Sequence, residues 1–354
     1  YGKLMAIRRV VTNKGKSTPG VDGVVWNSPK KKMQAVNLLN RRGYRPDPLR
    51  RVYIKKKNGK LRPLSIPTMR DRAMQALYAL ALVPVAETIG DPNSYGFRDS
   101  RCCADAIKQC YNCLAKRRSA RWILEADIQA CFDRIDHEWM LNNILTDKKI
   151  LRSWLNAGYI DGGKLYSAKA GTPQGSVISP VLANMTLDGL ETAVKNAVPR
   201  TAKVHVIRYA DDFIVTGESK QILQQKVKPA IRAFLSQRGL NLSGEKTRIT
   251  RIEDGFDFLG QHLRKFGDKF IAAPSKSSVK GIVLKTKKTI KSHLGSSTAD
   301  MLRVLNPAIR GWANYHRHAC SKKTFSYVDT RIFNNLWKWA KRRHQNKKAQ
   351  WIRD

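Results

Sequence analysis

Negative charge is what this chain has least of. Against 67 Lys and Arg stand 27 Asp and Glu, a formal balance of +40 over 354 residues. A surface of one sign repels itself and needs a polyanion to neutralise it. Phosphate contacts by Lys and Arg release counterions, so nucleic acid is the expected partner and an anionic membrane fits less well. Long apolar runs are also missing. The most apolar stretch, 73–86, is broken by Gln75 and Pro84 and is shorter than the ~20 residues a membrane span requires. The basic residues are spread along the chain, not gathered on one amphipathic helix. Cysteine is sparse, six in all. Cys110 and Cys113 form a lone C-x-x-C with no second pair or His cluster at zinc spacing. They read, with Cys102, Cys103, Cys131 and Cys320, as small apolar side chains in a reducing compartment. There is no repeat and no low-complexity linker, and a hydrophobic content of 42% excludes a disordered basic tail. The chain starts at Tyr1, not Met, and in mid-pattern. It reads as a fragment of a longer protein, in which a missing signal peptide carries no information.

What is present is ordered. The length allows a substantial core and two or more subdomains. Residues 1–70 are basic and turn-rich, with a turn cluster at "TPGVDG" (Thr18 to Gly23). "RRVYIKKKNGKLRPLSIP" predicts a β-hairpin, with Val52 and Ile54 on one strand, Leu64 and Ile66 on the other, and Asn58-Gly59 at the turn. A buried helix is predicted over 71–83, ending near Pro84. Arg121 to Ile128 predicts a strand. After the loop "GTPQGSVISP", Ser179-Pro180 reads as N-cap and first position of a helix carrying Leu182 and Met185. A hairpin over His205 to Gly217 follows, then a helix over about 219–238, then "GLNLSGEKTRIT" and "FDFLGQHLR". Strands stop near residue 275, and residues 275–354 hold 19 Lys and Arg against 3 Asp and Glu. Asn306-Pro307 is expected to begin one helix there. Ile309, Trp312, Ala313 and His316 lie on one of its faces, Arg310, Asn314 and Arg317 on another. The next helix has Ile332, Leu336, Trp339 and Ala340 inside and Lys338, Lys341 and Arg342 outside. Trp312, Trp337 and Trp339 read mostly as helical core.

The hairpin "HVIRYADDFIVTG" places Asp211 and Asp212 side by side between two buried strands. One Asp at a turn is ordinary. Two repel each other unless a cation sits with them, and taken alone they could still be a solvated turn. A second strand weighs against that. "LEADIQACFDRIDH" ends an apolar strand at Asp127. If the two strands are neighbours, Asp127 meets Asp211 and Asp212 at one edge. Hard carboxylate oxygens suit Mg²⁺ shared with substrate phosphates. Two such ions can clamp the attacking and leaving oxygens of a phosphoryl displacement.

The ordered motifs "TPGVDG", "NGKLRPLSIP", "DRAMQALY", "NSYGFR", "EADIQACFD", "TPQGSVISP", "YADD", "LSGEKTRI" and "FDFLG" resemble a reverse transcriptase. The segments "NPAIRGWANYHRH" and "LWKWAKRRH" resemble the thumb, or maturase X domain, of group II intron-encoded reverse transcriptases. The resemblance implies an α+β right-hand polymerase. Fingers would lie over 1–90, truncated at their start, and a ferredoxin-like palm sheet with remaining finger elements over 91–265. The helical thumb would lie over 275–354. It implies RNA-directed DNA synthesis, with binding of the parent intron RNA to assist splicing and retrohoming.

Residue by residue, the resemblance implies that Asp127, Asp211 and Asp212 bind two Mg²⁺ ions, with Asp127 and Asp211 bridging both and Asp212 less critical. Lys246 would be a general acid for the pyrophosphate leaving group, or else a phosphate contact or a surface lysine. Lys56, Arg62, Ile128, Phe132, Gln174 and Gly175 would surround the dNTP, although the basic hairpin bearing Lys56 and Arg62 could equally be a solvated face or hold template phosphates. Phe132 would sit under the sugar and exclude a ribose 2′-OH; otherwise it is core. A proline that the family keeps before Lys56 is Lys55 here, which leaves the contacting lysine open among Lys55, Lys56 and Lys57. Phe258, Leu259 and Gly260 would grip the primer end. Arg310, Asn314, Arg317, Lys338, Lys341 and Arg342 would bind RNA, as suits A-form duplex read by its backbone. Partners would be intron RNA, an RNA template with DNA primer, target DNA and dNTPs. The setting would be a ribonucleoprotein in the bacterial cytoplasm, or an organelle. Two rivals remain: a non-catalytic RNA-binding splicing cofactor, which the intact aspartates oppose, and a retron, diversity-generating or CRISPR-associated reverse transcriptase, which the thumb motif opposes.

Overall fold

The computed structural model describes residues 1–55, 59 and 61–353. In chain order its strands begin with β1 (Leu49–Lys55), β2 (Leu61–Ile66), β3 (Trp122–Asp127), β4 (Tyr159–Asp161) and β5 (Lys164–Tyr166). They continue with β6 (Val206–Tyr209), β7 (Asp212–Gly217), β8 (Arg248–Arg251), β9 (Phe256–Phe258), β10 (Gln261–Phe266) and β11 (Lys269–Pro274). The first hairpin forms as its alternation predicts, from Arg50↔Ile66 to Lys55↔Leu61. The expected turn residue Asn58 lies outside the described residues. β4 joins β1 in parallel, and the sheet order is β2-β1-β4-β5.

The second sheet has the order β6-β7-β3-β8, with every pairing antiparallel. This is the ferredoxin-like arrangement, and β3 and β7 are its central pair. Both are largely apolar because both faces of the sheet are covered, and the one buried charge between them, Glu125 of β3, accepts from Arg248 and Thr250 of β8. Leu124, Ala126, Phe213 and Val215 face one core with Leu182, Leu187, Ile231 and Leu235. Ile123, Ile207 and Ile214 face another, closed by Cys110 and Leu114 of the helix Cys103–Leu114 and by Phe256, Phe258 and Leu263. The third sheet, β11-β10-β9, supplies those last three.

Beyond Pro274 the described chain is helical: Lys276–Ser292, Thr298–His316, Lys322–Arg343 and the short Ala349–Arg353. Ile290, Met301, Leu305 and Trp339 make one core there, and Ile282, Val328 and Ile332 another. The Trp339 indole donates to His293 O at 3.1 Å, and the Trp312 indole to Ser278 Oγ at 3.0 Å. Trp337 is half-buried and stacks with Phe333.

Two helix boundaries differ from expectation, for one reason. Pro84 does not end its helix, which runs Met69–Ile89. Pro307 does not begin one, because its helix starts at Thr298. A proline inside a helix removes the bond to the carbonyl four residues earlier. Here those carbonyls belong to Leu80 and Arg303, both exposed, where water can take the bond. The true starts are capping pairs overlooked in the sequence. Thr68 accepts from Asp71 N at 3.2 Å, and Ser297 from Asp300 N at 3.1 Å. Ser179 is the first helical residue and not the cap, which is Ile178. The helix expected over 219–238 is present as Lys220–Ser236, with a π-turn at Leu223–Val227 just before Pro229, which has no N–H to donate.

Candidate active site

The register of the central pair sets the site. Asp127 is the direct cross-strand partner of Asp212. Ala210 and Asp211 form the two-residue turn between β6 and β7, and Ile128 N donates to Asp211 O at 3.2 Å. All three carboxylates therefore stand at one end of the sheet, each half-buried. The turn is held under strain, since Ala210 has φ +58°, a region that favours glycine. Its support is visible. Asn93–Gly96 runs beside β6, with Arg208 N donating to Asn93 O and Tyr95 N to Arg208 O, both at 2.9 Å. Gly96 presses on the turn so closely that a Cβ there would lie 2.4 Å from Ala210 N.

Beneath the turn lies a buried ion pair that sequence reasoning missed. The Arg208 guanidinium, 1% exposed, donates to Asp188 Oδ1 at 2.6 Å and to Asn184 Oδ1 at 3.2 Å. Asn184 in turn donates to Gly96 O at 2.8 Å. Burial pushes Asp188 up and Arg208 down despite their mutual attraction. A buried pair of this kind is costly to hold and more costly to break.

Electrostatics mark the carboxylates as under-neutralised. Burial, with Asp127 adding to it, raises Asp211. Asp212 is pushed up to about 7 by burial, then by Asp127 and Asp211. Among the described residues the cation paired with them is Lys246, whose Nζ donates to Asp127 Oδ2 at 2.9 Å, and that bond raises the lysine. Among the described residues no three His, Cys, Asp or Glu side chains close around a single point as a metal cage would. The donor set nonetheless fits a hard divalent cation. Its ligands would all be carboxylate oxygens whose repulsion is relieved only in part, and magnesium completes its shell with substrate phosphates and water instead of an all-protein cage.

Around this edge the expected nucleotide residues fall into three groups. Arg62 on β2 donates to Gln174 Oε1 at 2.9 Å, and Gln174 Nε2 donates to both Asp133 oxygens at 3.0 Å. Ser65 N donates to Gln174 O at 2.7 Å, and Gly175, with φ +108°, lets the loop lie against Ser65. Arg62, Gln174 and Gly175 are thus one assembly, with Phe132 beside Asp133. Phe132 is half-buried and meets Phe97 edge-on at 6.0 Å. Phe97 is 53% exposed with φ +59°, and its role was not anticipated. Ile128 is a correction: its side chain is 1% exposed in the core, so only its main chain borders the site. Lys56 and Lys57 lie outside the described residues, while Lys55 ends β1.

The primer-end expectation is corrected in part. Phe258 is 2% exposed and cannot touch a strand. The two turn residues after it can: Leu259 has φ +49° and Gly260 φ +72°. Tyr315 of the helix Thr298–His316 donates to Leu259 O at 2.6 Å and tethers that turn. Arg310, Asn314, Arg317, Lys338, Lys341 and Arg342 are all exposed, as a nucleic-acid face requires.

A strained two-carboxylate turn facing a third carboxylate, on a ferredoxin-like sheet with a fingers hairpin and a basic helical region, defines a nucleic-acid polymerase of the right-hand class. Residues 54–263 match the family described as "Reverse transcriptase (RNA-dependent DNA polymerase)". Residues 1–39 match "N-terminal domain of reverse transcriptase", and residues 279–354 match "Group II intron, maturase-specific domain". The chain belongs to the reverse transcriptases, RNA-directed DNA polymerases that use divalent metal ions, and to their group II intron branch. Protein YkfC of Escherichia coli (strain K12) is 34% identical over 303 residues, covering 73% of this chain and 79% of that protein. Group II intron-encoded protein LtrA of Lactococcus lactis subsp. cremoris is 29% identical over 330 residues, covering 73% and 54%. The "Uncharacterized 91 kDa protein in cob intron" of Schizosaccharomyces pombe is 26% identical over 410, covering 91% and 50%. The chain spans about half the length of the last two. None of these matches supports the rival readings.

Proposed function

We propose that the chain extends a DNA primer on an RNA template, with Asp127, Asp211 and Asp212 holding two Mg²⁺ ions. The observation that carries this is the Asp127–Asp212 register beside the Asp211 turn, three half-buried carboxylates whose mutual repulsion Lys246 and Arg62 relieve only in part. Magnesium bound there supplies charge neutralisation for the attacking and leaving oxygens. The chain's own residues do the rest. Gly96, Asn184 and Arg208 fix the turn. The Arg62–Gln174–Asp133 assembly and a lysine among Lys55, Lys56 and Lys57 hold the triphosphate, and Gly175 lets template and nucleotide approach the backbone. Phe132, braced by Phe97, closes the space below the sugar C2′ and selects dNTPs. Lys246 keeps its proton while paired with Asp127 and stands at the same edge to give it to the pyrophosphate leaving group.

Fingers occupy 1–90, palm 91–265 and thumb 275–354. The Leu259-Gly260 turn guides the primer end, and the basic faces of the thumb bind the parent intron RNA during splicing and retrohoming into target DNA. The protein acts within a ribonucleoprotein, in bacterial cytoplasm or in an organelle; no helix of the described residues is long and apolar enough to cross a membrane. The test is primer extension on an RNA template with Mg²⁺. Asp211→Ala is expected to abolish extension and leave RNA binding nearly intact. Retained extension would overturn the carboxylate assignment.

A further inference from the structure

The helix Met69–Ile89 buries three polar side chains within its first two turns, Asp71, Arg72 and Gln75. Two of them tie down the chain that precedes β1. Asp71 accepts from the Tyr44 hydroxyl and from Asp47 N, and Arg72 donates to the carbonyls of Gly15 and Thr18. Gln75 has a different target. Its Oε1 accepts from Ser176 Oγ at 2.7 Å and from Val177 N at 3.1 Å. At 3% exposure the amide would cost free energy without such partners. The segment it holds, residues 171–177, is neither strand nor helix and carries Gln174 and Gly175. Near its start Thr172 N donates to Phe132 O at 2.6 Å, and at its middle Ser65 N donates to Gln174 O at 2.7 Å. Gln75 fastens its end. Gly175, at φ +108°, gives the turn a freedom that this last fastening takes away.

We infer that Gln75 is a positioning residue for nucleotide binding: through Ser176 and Val177 it sets the Gln174 amide between Arg62 and Asp133. This rests on the polymerase reading above and on the assignment of Gln174 to the dNTP. Gln75 is buried and touches no nucleotide, so its effect passes through the loop. The Gln174 amide is sensitive to that loop because it is used at both ends. Its oxygen accepts from Arg62 at 2.9 Å, and its nitrogen donates to both Asp133 oxygens at 3.0 Å. A shift of about 0.5 Å takes such bonds out of range. The bridge joins the β1–β2 hairpin to the segment that bears Phe132. A loop released at Ser176 and Val177 therefore loosens the nucleotide contacts while leaving the carboxylates in place.

The test is single-turnover incorporation of one dNTP on an RNA template with DNA primer, by wild type, Gln75→Met, Gln174→Ala and the double variant. Methionine keeps the length of the side chain and removes the acceptor. Gln75→Met is expected to weaken dNTP binding about fivefold, the worth of a typical hydrogen bond, with affinity for primer and template unchanged. In the Gln174→Ala background the same change should add less than about twofold, because a residue that acts through another is not additive with it. If Gln75→Met does not fold, Ser176→Ala takes its place in the cycle, with about threefold expected for the lost hydroxyl donor. Wild-type dNTP affinity in Gln75→Met, with only the active fraction reduced, marks a core glutamine and overturns the proposal alone. Effects that multiply in the double variant overturn it as well. Wild-type dNTP affinity in Gln174→Ala overturns the assignment of Gln174 and the proposal with it. Wild type that extends no primer overturns the polymerase reading itself.

Discussion

Removing the Asp188 carboxylate leaves Arg208 charged, 1% exposed and without its bonded counter-ion, with the more distant Asp91 still acting on it by charge. The remaining side-chain partner is Asn184 Oδ1 at 3.2 Å, a neutral acceptor. Breaking one side of a buried pair typically costs about 3–5 kcal/mol, against the few tenths expected for a surface change. Asp188→Ala should therefore lower the thermal midpoint by roughly 6–10 °C, at about 2 °C per kcal/mol for a chain of this size. The double variant Arg208→Met/Asp188→Leu removes both charges and fills the space, so it should recover at least half of that loss. Activity should separate the two roles of the pair. Arg208 is adjacent to Tyr209 and supports the strained turn, so the double variant should be stable yet slow in kcat, by about tenfold or more. The measurements are thermal melting, denaturant titration and steady-state primer extension on the three proteins. A loss below about 1 kcal/mol for Asp188→Ala, or a double variant no more stable than the single, would refute the reasoning.

Phe132→Ala should raise ribonucleotide incorporation relative to dNTPs, measured by competition on one template. An unchanged ratio would make Phe132 a core residue only. Charge reversal at Arg310 and Arg317 should weaken RNA binding and flatten its dependence on salt, read from affinities at several salt concentrations; unaltered affinity refutes that surface. Asp212 gives a pH dependence. Its folded pKa of about 7 lies above its ordinary value, so the folded state holds a proton that the unfolded state has released. Stability of the metal-free protein should fall as pH rises from about 4 through 7, by at most about 4 kcal/mol from this group. Asp212→Asn should remove that component of the midpoint-against-pH curve measured in EDTA, and an identical slope in the variant would contradict it.

The carboxylate site was legible because its two parts are local patterns. A strand ending in Asp127 and a hairpin ending in Asp211-Asp212 each announce themselves, and one adjacency joins them. The hairpin of β1 and β2 was legible for the same reason. What supports the site was not. Arg208 looks like one more basic residue until Asp188, Asn184 and Gly96 are seen around it. Nothing in "FDFLG" tells that Tyr315, from far along the chain, donates to the Leu259 carbonyl. The prolines misled because their effect depends on whether the freed carbonyl is exposed, which burial decides and sequence does not. Ile128 and Phe258 were placed at the site by motif position, yet their side chains point into the two cores on either side of the palm sheet.

The central claim is that Asp127, Asp211 and Asp212 hold the divalent ions of polymerisation. Manganese titration followed by electron paramagnetic resonance tests it directly, with a chain-terminated primer on an RNA template and the next dNTP bound. Wild type should take up about two Mn²⁺ per chain beyond the background of the nucleic acid, and Asp211→Ala should lose them while still binding the duplex. An equal count in the two proteins would contradict the account.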